Sequence, residues 1–295
     1  MSIWHESDLL FLGSAAEEAP GNLLHLQEEM IRAPALLYRR RHPVVGQRVK
    51  LDKTHPYVEH MVGCWPLWYQ GDSSHFIEDL TGNNHGTEAG TGEEVNHYYT
   101  KYGRGLGVGT NSASGRITLG LIDGNNPLSC NVNNEISIFG WCTFAVNPQN
   151  SFPRLIDKSN GANAVNGWGL AFRREGATAP DNTINLNIAG TSYDPGLDAL
   201  GASDAVNDGK TSGFGVTAAS GDIDFVWDGH LVGSSTGTYT IPATSTNCAI
   251  LNWNHTTDRQ WGDAPVYYVA VWDVKLPYQW LLDLTYDPYQ IFIPA

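Results

Sequence analysis

Three carboxylates follow one another at short spacing in the segment Asp222–Asp228. Alternate side chains of a strand share a face, so Asp222 and Asp224 are expected to point the same way. Hydrolysis of a glycosidic bond needs two carboxyl groups that flank the bond. The next position on this face is Val226, and Asp228 falls in the following turn. The spacing therefore favours a solvated strand face before a hairpin, and it argues against an enzyme.

Oxygen ligands suited to calcium occur in two turn-like segments. The candidate ligands are Asp79, Asn83, Asn84 and Asp123. Ca²⁺ prefers carboxylate and amide oxygens. Asp and Asn are also favoured in turns, because their short side chains hydrogen-bond to the nearby backbone. Both interpretations stay open, and apart from calcium we expect no cofactor.

An aromatic-rich polar segment offers the combination of ring surface and hydrogen-bonding groups that sugar binding uses. The candidate glycan-binding residues are Trp253, His255, Arg259 and Trp261. Trp168 is a reserve candidate. Three other tryptophans lie inside strand patterns and are expected in the core, namely Trp141, Trp227 and Trp272.

Charge and cysteine usage exclude several classes of function. The chain of 295 residues has a net charge of −14, whereas nucleic-acid binding needs a basic surface. We find no apolar run long enough to cross a membrane, and acids surround the short run Leu9–Leu12, which argues against a signal peptide. The four cysteines are widely spaced and are expected to be buried free thiols in a reducing compartment. The histidines show no metal-binding spacing.

The segment Glu135–Val146 predicts a central strand. Its apolar residues occupy both faces at period two, with Ile136 and Ile138 on one side and Phe139 and Trp141 on the other. A strand buried on both faces belongs in the middle of a sheet. About ten further short strands with Gly, Asn and Asp turns surround it, including a hairpin at Asp228-Gly229. We therefore predict an all-β fold, a two-sheet antiparallel β-sandwich.

Residues 1–60 differ from the rest and are predicted to form an extended N-terminal arm with a short helix within 17–32. The sandwich is assigned to 61–284 and an extended tail to 285–295. A weakly structured, basic and apolar arm either stays disordered or orders against a partner. The tail either packs on the sandwich or contacts a neighbouring molecule. The candidate docking residues are Leu36, Leu37, Tyr38, Arg39, Arg40, Arg41, Tyr289 and Phe292.

The order of several segments resembles the laminin-G-like, concanavalin A-like lectin/glucanase jelly roll. The matching segments are 62–67 with 79–86, 136–142, 156–158 with 167–170, 225–232 and 269–276. The resemblance implies a jelly-roll sandwich over about residues 61–284. Jelly-roll glucanases carry Glu-x-Asp-x-Glu on one strand face, and the segment Asp222–Val226 lacks one of these carboxylates.

The segment Asp287–Phe292 resembles the close of laminin-G-like proteins of tailed bacteriophages, with Asp in place of Asn. This resemblance implies a non-enzymatic virion structural protein, assembled in the host cytoplasm. The first expectation is a capsid decoration (cement) protein whose arm binds the major capsid protein or other virion proteins, as a homo-oligomer on the particle. The alternative is a lectin-like receptor-binding module of a tail fibre or baseplate that binds a host glycan.

Overall fold

The computed structural model describes residues 47–68, 75–89, 95–108, 115–144, 153–159, 164–173, 183–196, 209–252 and 264–295. All of them belong to one unit that spans residues 42–295. Strands dominate the described residues, and they pair in an antiparallel manner within two large sheets. The predicted antiparallel β-sandwich is thereby confirmed. Residues 1–46 of the predicted arm lie outside the described residues.

Sheet I contains eight strands in the described part of the chain. In spatial order they are β12 (Thr191–Tyr193), β11 (Thr183–Ile188), β10 (Trp168–Arg173), β9 (Arg154–Lys158), β16 (Thr246–Ile250), β7 (Arg116–Ile122), β4 (Gly86–Ala89) and β3 (Phe76–Ile77). Its two edge strands are only three and two residues long. Short edges reduce the chance of pairing with another chain.

Sheet II contains the central strand. In spatial order its strands are β15 (His230–Ser235), β14 (Asp222–Trp227), β13 (Thr211–Ala219), β8 (Glu135–Thr143), β17 (Val266–Trp272), β6 (Gly103–Val108) and β5 (Val95–Thr100), and β2 (Met61–Pro66) also pairs with β17. The predicted hairpin joins β14 to β15. Asp228 and Gly229 both have positive φ, 44° and 83°, as a tight two-residue hairpin turn requires.

The main core lies between the two sheets. Strand β8 pairs with β13 on one side and β17 on the other, so the central-strand prediction is confirmed. Ile136 and Ile138 enter the core between the sheets, whereas Phe139 and Trp141 belong to a second apolar cluster. The three tryptophans expected in the core are buried, and the four cysteines are free and buried as predicted.

The second apolar cluster covers the outer side of sheet II. Helix α1 (Tyr278–Tyr286) packs there, together with the two-stranded sheet of β1 (Val49–Leu51) and β18 (Phe292–Pro294). Single 3₁₀ turns occur at Pro56–Val58 and Pro127–Ser129. Within the described residues no helix is long and apolar enough to cross a bilayer. Apolar packing thus occupies the outer side of sheet II, which leaves the outer side of sheet I as the candidate binding surface.

Candidate functional site

Polar side chains line the outer side of sheet I. Trp168, Leu170 and Phe172 of β10 enter the core, so the alternate residues of this strand face outward. The register continues this row across neighbouring strands, where Asn187 pairs with Gly169, Gly169 with Asp157 and Asp157 with Ala249. We call this outward surface the polar face. It comprises Arg154, Asp157, Gly169, Ala171, Asn185, Asn187, Ser192 and Ala249.

A bulge in β9 places an acid and a base together on the polar face. Ile156 pairs with Leu170, but the next pair is Arg154 with Ala171, so Leu155 is the extra residue. Arg154 and Asp157, which strict alternation would send to opposite faces, therefore share one face. The Arg154 Nε atom lies 3.6 Å from Asp157 Oδ2, and the two side chains are 1% and 0% exposed. The result is a buried ion pair.

Small residues form the floor of the polar face. A Cβ atom on Gly169 would lie 2.5 Å from Asp157 Oδ2, so glycine is what lets the carboxylate sit over this strand. Ala171 is the next residue on the same face of β10, and Ala249 lies opposite Asp157 on β16; both alanines are buried. Ser159 Oγ donates a short hydrogen bond to Asp157 Oδ1 and fixes the carboxylate.

Two buried amides on β11 lack hydrogen-bond acceptors. Asn185 is 2% exposed and Asn187 is 1% exposed. Ser192 Oγ donates to Asn187 Oδ1 at 2.7 Å, which fixes the amide plane. Among the described residues, neither Asn185 Nδ2 nor Asn187 Nδ2 has a partner. A buried donor left unpaired costs about 1–3 kcal/mol, so these two amides are candidates for hydrogen bonds to water or to a ligand.

Arg116 adds a cation at the same end of sheet I as Arg154. Ile250 of β16 pairs with Ile117 on one side and with Ile156 on the other. Ile117 enters the core, so Arg116 faces outward. Its Nε atom is buried without a partner among the described residues.

The predicted glycan-binding residues Trp253, His255, Arg259 and Trp261 lie outside the described residues. The residues just before them are described: Leu251 N–H donates to Leu155 O at 2.9 Å, and Asn252 Nδ2 donates to Gly115 O at 3.0 Å. Leu251 and Asn252 therefore lie next to the strands that carry Arg154 and Arg116. The reserve candidate Trp168 was wrong as a surface residue, because it is fully buried in the core.

The predicted calcium ligands come together in two neighbouring turns. Asp79, which is 1% exposed, accepts four hydrogen bonds: Oδ1 from the Cys64 and Thr81 amides, and Oδ2 from Thr81 Oγ1 and the Asn84 amide. Asn126 Nδ2 donates to Asn84 Oδ1 at 2.8 Å. The turn interpretation accounts for these contacts.

Asp123 and Asn83 complete the predicted set. Asp123 Oδ1 accepts from the Asn125 and Asn126 amides, and the exposed Asn83 lines a nearby cleft. In the described part of the chain, no three His, Cys, Asp or Glu side chains form a metal-binding group. Calcium binding stays a prediction.

The carboxylates of β14 are neutralised by lysines. Lys275 Nζ lies 2.5 Å from Asp222 Oδ1 and 3.0 Å from Asp224 Oδ2. Asp228 pairs with Lys210 at 2.5 Å. These contacts are those of surface ion pairs, and they leave the expectation of a non-enzyme as a prediction.

The predicted docking residues of the tail contact their own chain. Tyr289 is buried, and its hydroxyl donates to Tyr102 O at 2.8 Å. The Trp68 ring meets the Tyr289 and Phe292 rings edge to face, at 5.3 and 5.0 Å. The tail thus packs on the sandwich, one of the two arrangements expected. Leu36, Leu37, Tyr38, Arg39, Arg40 and Arg41 lie outside the described residues.

An open cleft of about 440 Å³ lies on the side of β1. Apolar side chains, among them Met61 and Leu80, line its inner part, and Lys53 and Glu59 are among its polar residues. Among the described residues that line it, His55 alone is aromatic, so the cleft offers little surface for stacking a sugar. We regard the polar face as the better candidate.

Comparisons with protein-family models and with curated protein sequences find no match. Solved structures do resemble the chain. Domain 4 of AbnA, a GH43 extracellular arabinanase from Geobacillus stearothermophilus in complex with arabinotriose, is 14% identical with a TM-score of 0.54, over 76% of this chain and 98% of that domain. The binding domain of Paraclostridial Mosquitocidal Protein 1 is 11% identical with a TM-score of 0.54, over 78% and 52% of the two chains.

The binding domain of Botulinum neurotoxin DC, in complex with rat synaptotagmin II, is 12% identical with a TM-score of 0.52, over 77% of this chain and 51% of that one. The chain thus spans about half the length of the two toxin binding domains. At these identities the likeness shows the fold alone. The shared fold is a β-sandwich.

Proposed function

We propose that this chain is a glycan-binding module that uses the polar face of sheet I. The observation that carries the proposal is the pair of buried amide donors of Asn185 and Asn187, which have no partner in the part of the chain that the structure describes. Sugar hydroxyl oxygens would satisfy these donors.

Two further observations support this proposal. The sequence that directly follows Asn252 contains Trp253 and Trp261, residue types suited to stacking on a sugar. The AbnA domain, which has the same fold, was solved with arabinotriose. The protein-bound toxin domain makes a protein receptor the alternative partner.

Equilibrium binding to a glycan array, with arabinotriose as one probe, tests the proposal. We expect Asn187→Ala to weaken binding of the best glycan at least tenfold, about 1.4 kcal/mol, because a donor in a dry site is lost. Asn247→Ala is the matched control, since Asn247 is an exposed asparagine on β16 of the same sheet. Trp261→Ala tests the adjoining segment.

Two results would contradict the proposal. Absence of binding to any glycan would remove the function. Equal weakening by Asn187→Ala and Asn247→Ala would remove the polar face as its site. Because the polar face is shielded from solvent, binding requires a local opening, and each measurement must be continued to equilibrium.

The virion structural role stays a prediction, because it rests on the arm and on a resemblance of Asp287–Phe292. The structure sharpens its test. A deletion of residues 1–50 would also remove Val49 and Lys50, which pair with β18. Deletion of residues 1–41 ends at the unit boundary and spares β1. Loss of particle incorporation with an intact fold would support the structural role, whereas retained incorporation with lost host adsorption would support the glycan-binding role.

A further inference from the structure

We infer that an extended, acidic peptide binds beside β1 as an added antiparallel strand and places apolar side chains in the adjoining cleft. Strand β1 packs on the outer side of sheet II, so this surface is separate from the polar face of sheet I. The inference therefore goes beyond glycan binding and does not depend on it. It starts from the backbone of β1, which uses only half of its hydrogen-bonding groups within the described part of the chain.

The pairing of β1 with β18 leaves the other edge of β1 free. Asp52 N–H donates to Ile291 O at 2.9 Å, in register with the β1–β18 pair. Backbone groups alternate in direction along an antiparallel strand, so those of Val49 and Leu51 point away from β18. Among the described residues, these groups of Val49 and Leu51 have no hydrogen-bond partner. They can therefore bind the backbone of one further strand.

The open cleft of about 440 Å³ adjoins this edge at Leu51. Its apolar lining includes the half-buried side chains of Val58, Met61 and Leu80. Directly opposite residues of an antiparallel pair share a face, so a peptide residue opposite Leu51 would direct its side chain toward the same lining. In this mode of recognition the main chain supplies affinity, and a pocket for alternate side chains supplies specificity. The cleft selects apolar side chains.

Unpaired charges beside β1 favour an acidic peptide. Lys50 and Lys53 are exposed, and neither forms an ion pair with another described residue. A residue opposite Lys50 on the added strand would lie on the solvent side, where opposite charges across a strand pair attract. The neighbouring acids are already engaged, Asp52 with Thr54, Glu78 with Arg48, and Glu59 with the His60 ring. The peptide that fits this edge therefore alternates acidic and apolar residues.

The test uses the full chain and a fluorescein-labelled heptapeptide, Glu-Val-Glu-Leu-Glu-Val-Glu. As an added strand it presents Glu beside Lys50 and an apolar side chain beside Leu51. We expect saturable binding by fluorescence anisotropy, and slower hydrogen exchange at the Val49 and Leu51 amides. Replacement of the central Leu by Ala should weaken binding at least fivefold, because the cleft is then poorly filled. Unchanged exchange at both amides would overturn the assigned edge.

Methylation of the peptide backbone separates strand addition from apolar contact alone. In the antiparallel arrangement, the amides of Val and Leu in the peptide point to β1, and those of Glu point away. N-methylation of the Leu amide and the following Val amide should weaken binding at least tenfold. N-methylation of two Glu amides is the matched control and should change binding less than twofold. Equal effects of the two modifications would overturn the added strand.

A lysine variant tests the charge. Lys53→Gln should weaken binding of the Glu peptide three- to tenfold, less so at high salt, and should leave binding of the same peptide with Gln in place of Glu unchanged. Lys101→Gln is the control, since Lys101 is an exposed lysine between β5 and β6. An unchanged affinity in Lys53→Gln would overturn the acidic class of the peptide.

Two further outcomes would overturn the whole inference. The first is the absence of binding of the Glu peptide, which would leave the glycan proposal untouched. The second is a dimer in sedimentation equilibrium that the peptide dissociates, because a second copy of the chain would then be the occupant of the edge.

Discussion

The buried amide of Asn185 lowers the stability of the ligand-free protein and provides a donor for the proposed ligand. Its Nδ2 atom is unpartnered in the described part of the chain, so the empty protein is destabilised at this position. We expect Asn185→Val to raise the free energy of unfolding by about 1 kcal/mol and Tm by about 2–4 °C, because valine suits a buried strand position. The same substitution should abolish glycan binding. Thermal unfolding without ligand is the measurement, and a lower Tm would mean that the amide has a partner.

Asp79 is the residue on which the turns beside β2 depend. Its carboxylate accepts four hydrogen bonds at 2.7 to 3.0 Å while almost fully buried. In Asp79→Asn, an NH2 group replaces one of the two acceptor oxygens, so a donor would face the donors that this oxygen now accepts from. We expect this variant to have a free energy of unfolding about 2–4 kcal/mol lower, measured in urea, since hydrogen bonds to charged groups are worth about 1.5–3 kcal/mol each. Asp123→Asn, at an exposed turn, is the control and should change little.

The same variant, in a thermal unfolding experiment, tests the predicted calcium site. If Ca²⁺ binds these turns, calcium should raise the melting temperature of the unmodified protein and leave that of Asp79→Asn unchanged. An identical melting temperature in calcium and in chelator would contradict the prediction.

At the scale of the elements, the alternation of apolar and polar residues predicted the strands, because a strand with one buried face needs an apolar residue at every second position. In Thr183–Ile188 apolar and polar residues alternate strictly, and Ile184, Leu186 and Ile188 lie in the core. The central strand followed from apolar residues on both faces. What alternation could not give was the extra residue Leu155, since a bulge is set by how neighbouring strands pair.

The candidate site was missed for the same reason. In the sequence, Arg154 and Asp157 are three residues apart, and an unbroken strand would send them to opposite faces. The alignment of Asn187, Gly169 and Asp157 in one row depends on the register of three strands, which no local pattern contains. One usable indication was present, because asparagine is depleted in strands and Thr183–Ile188 has two of them at alternate positions.

Helix α1 is held in place by Tyr57. The Tyr57 hydroxyl donates to Asp283 Oδ2 at 2.6 Å, and its ring stacks on Trp280 with centroids 4.6 Å apart. We expect Tyr57→Phe to lower the free energy of unfolding by only about 1 kcal/mol, because water can replace the lost hydrogen bond to the exposed Asp283. Tyr57→Ala also removes the buried ring and should cost about 3–5 kcal/mol. Urea unfolding measures both, and equal effects would mean that the hydrogen bond carries the contact.

At the scale of the whole molecule, the two sheets meet at one edge through a polar cluster. Glu88 of β4 in sheet I lies with Oε2 at 3.0 Å from His75 Nδ1 and with Oε1 at 3.2 Å from His97 Nε2. His97 belongs to β5 of sheet II, and Arg104 Nη2 of the adjacent β6 makes a short contact with His97 Nδ1. Because the guanidinium can only donate, His97 Nδ1 must be unprotonated, and the contact requires a neutral imidazole.

Protonation of His97 should therefore loosen the sandwich. Burial lowers the pKa of His97, and the neighbouring Arg104 lowers it further, while Glu88 opposes this and His75 adds to it. A folded-state pKa below the ordinary 6.5 means that the unfolded chain binds the proton more readily. Stability is then complete above pH 6.5 and is lost as the pH falls from 6.5 through the lowered pKa. Burial also lowers the pKa of His55, which contributes in the same direction.

We expect Tm to fall between pH 7.5 and 5.5, and the share due to His97 to be about 1–2 °C, because this side chain is a third exposed and solvent screens its charge. His97→Gln keeps a polar side chain that cannot titrate, so its Tm should depend less on pH than that of the unmodified protein. His55→Gln measures the separate contribution of His55, which follows β1, to the pH dependence of Tm. If His97→Gln retained the full pH dependence, the edge cluster would have no part in it, and the acid sensitivity of the sandwich would have to arise elsewhere.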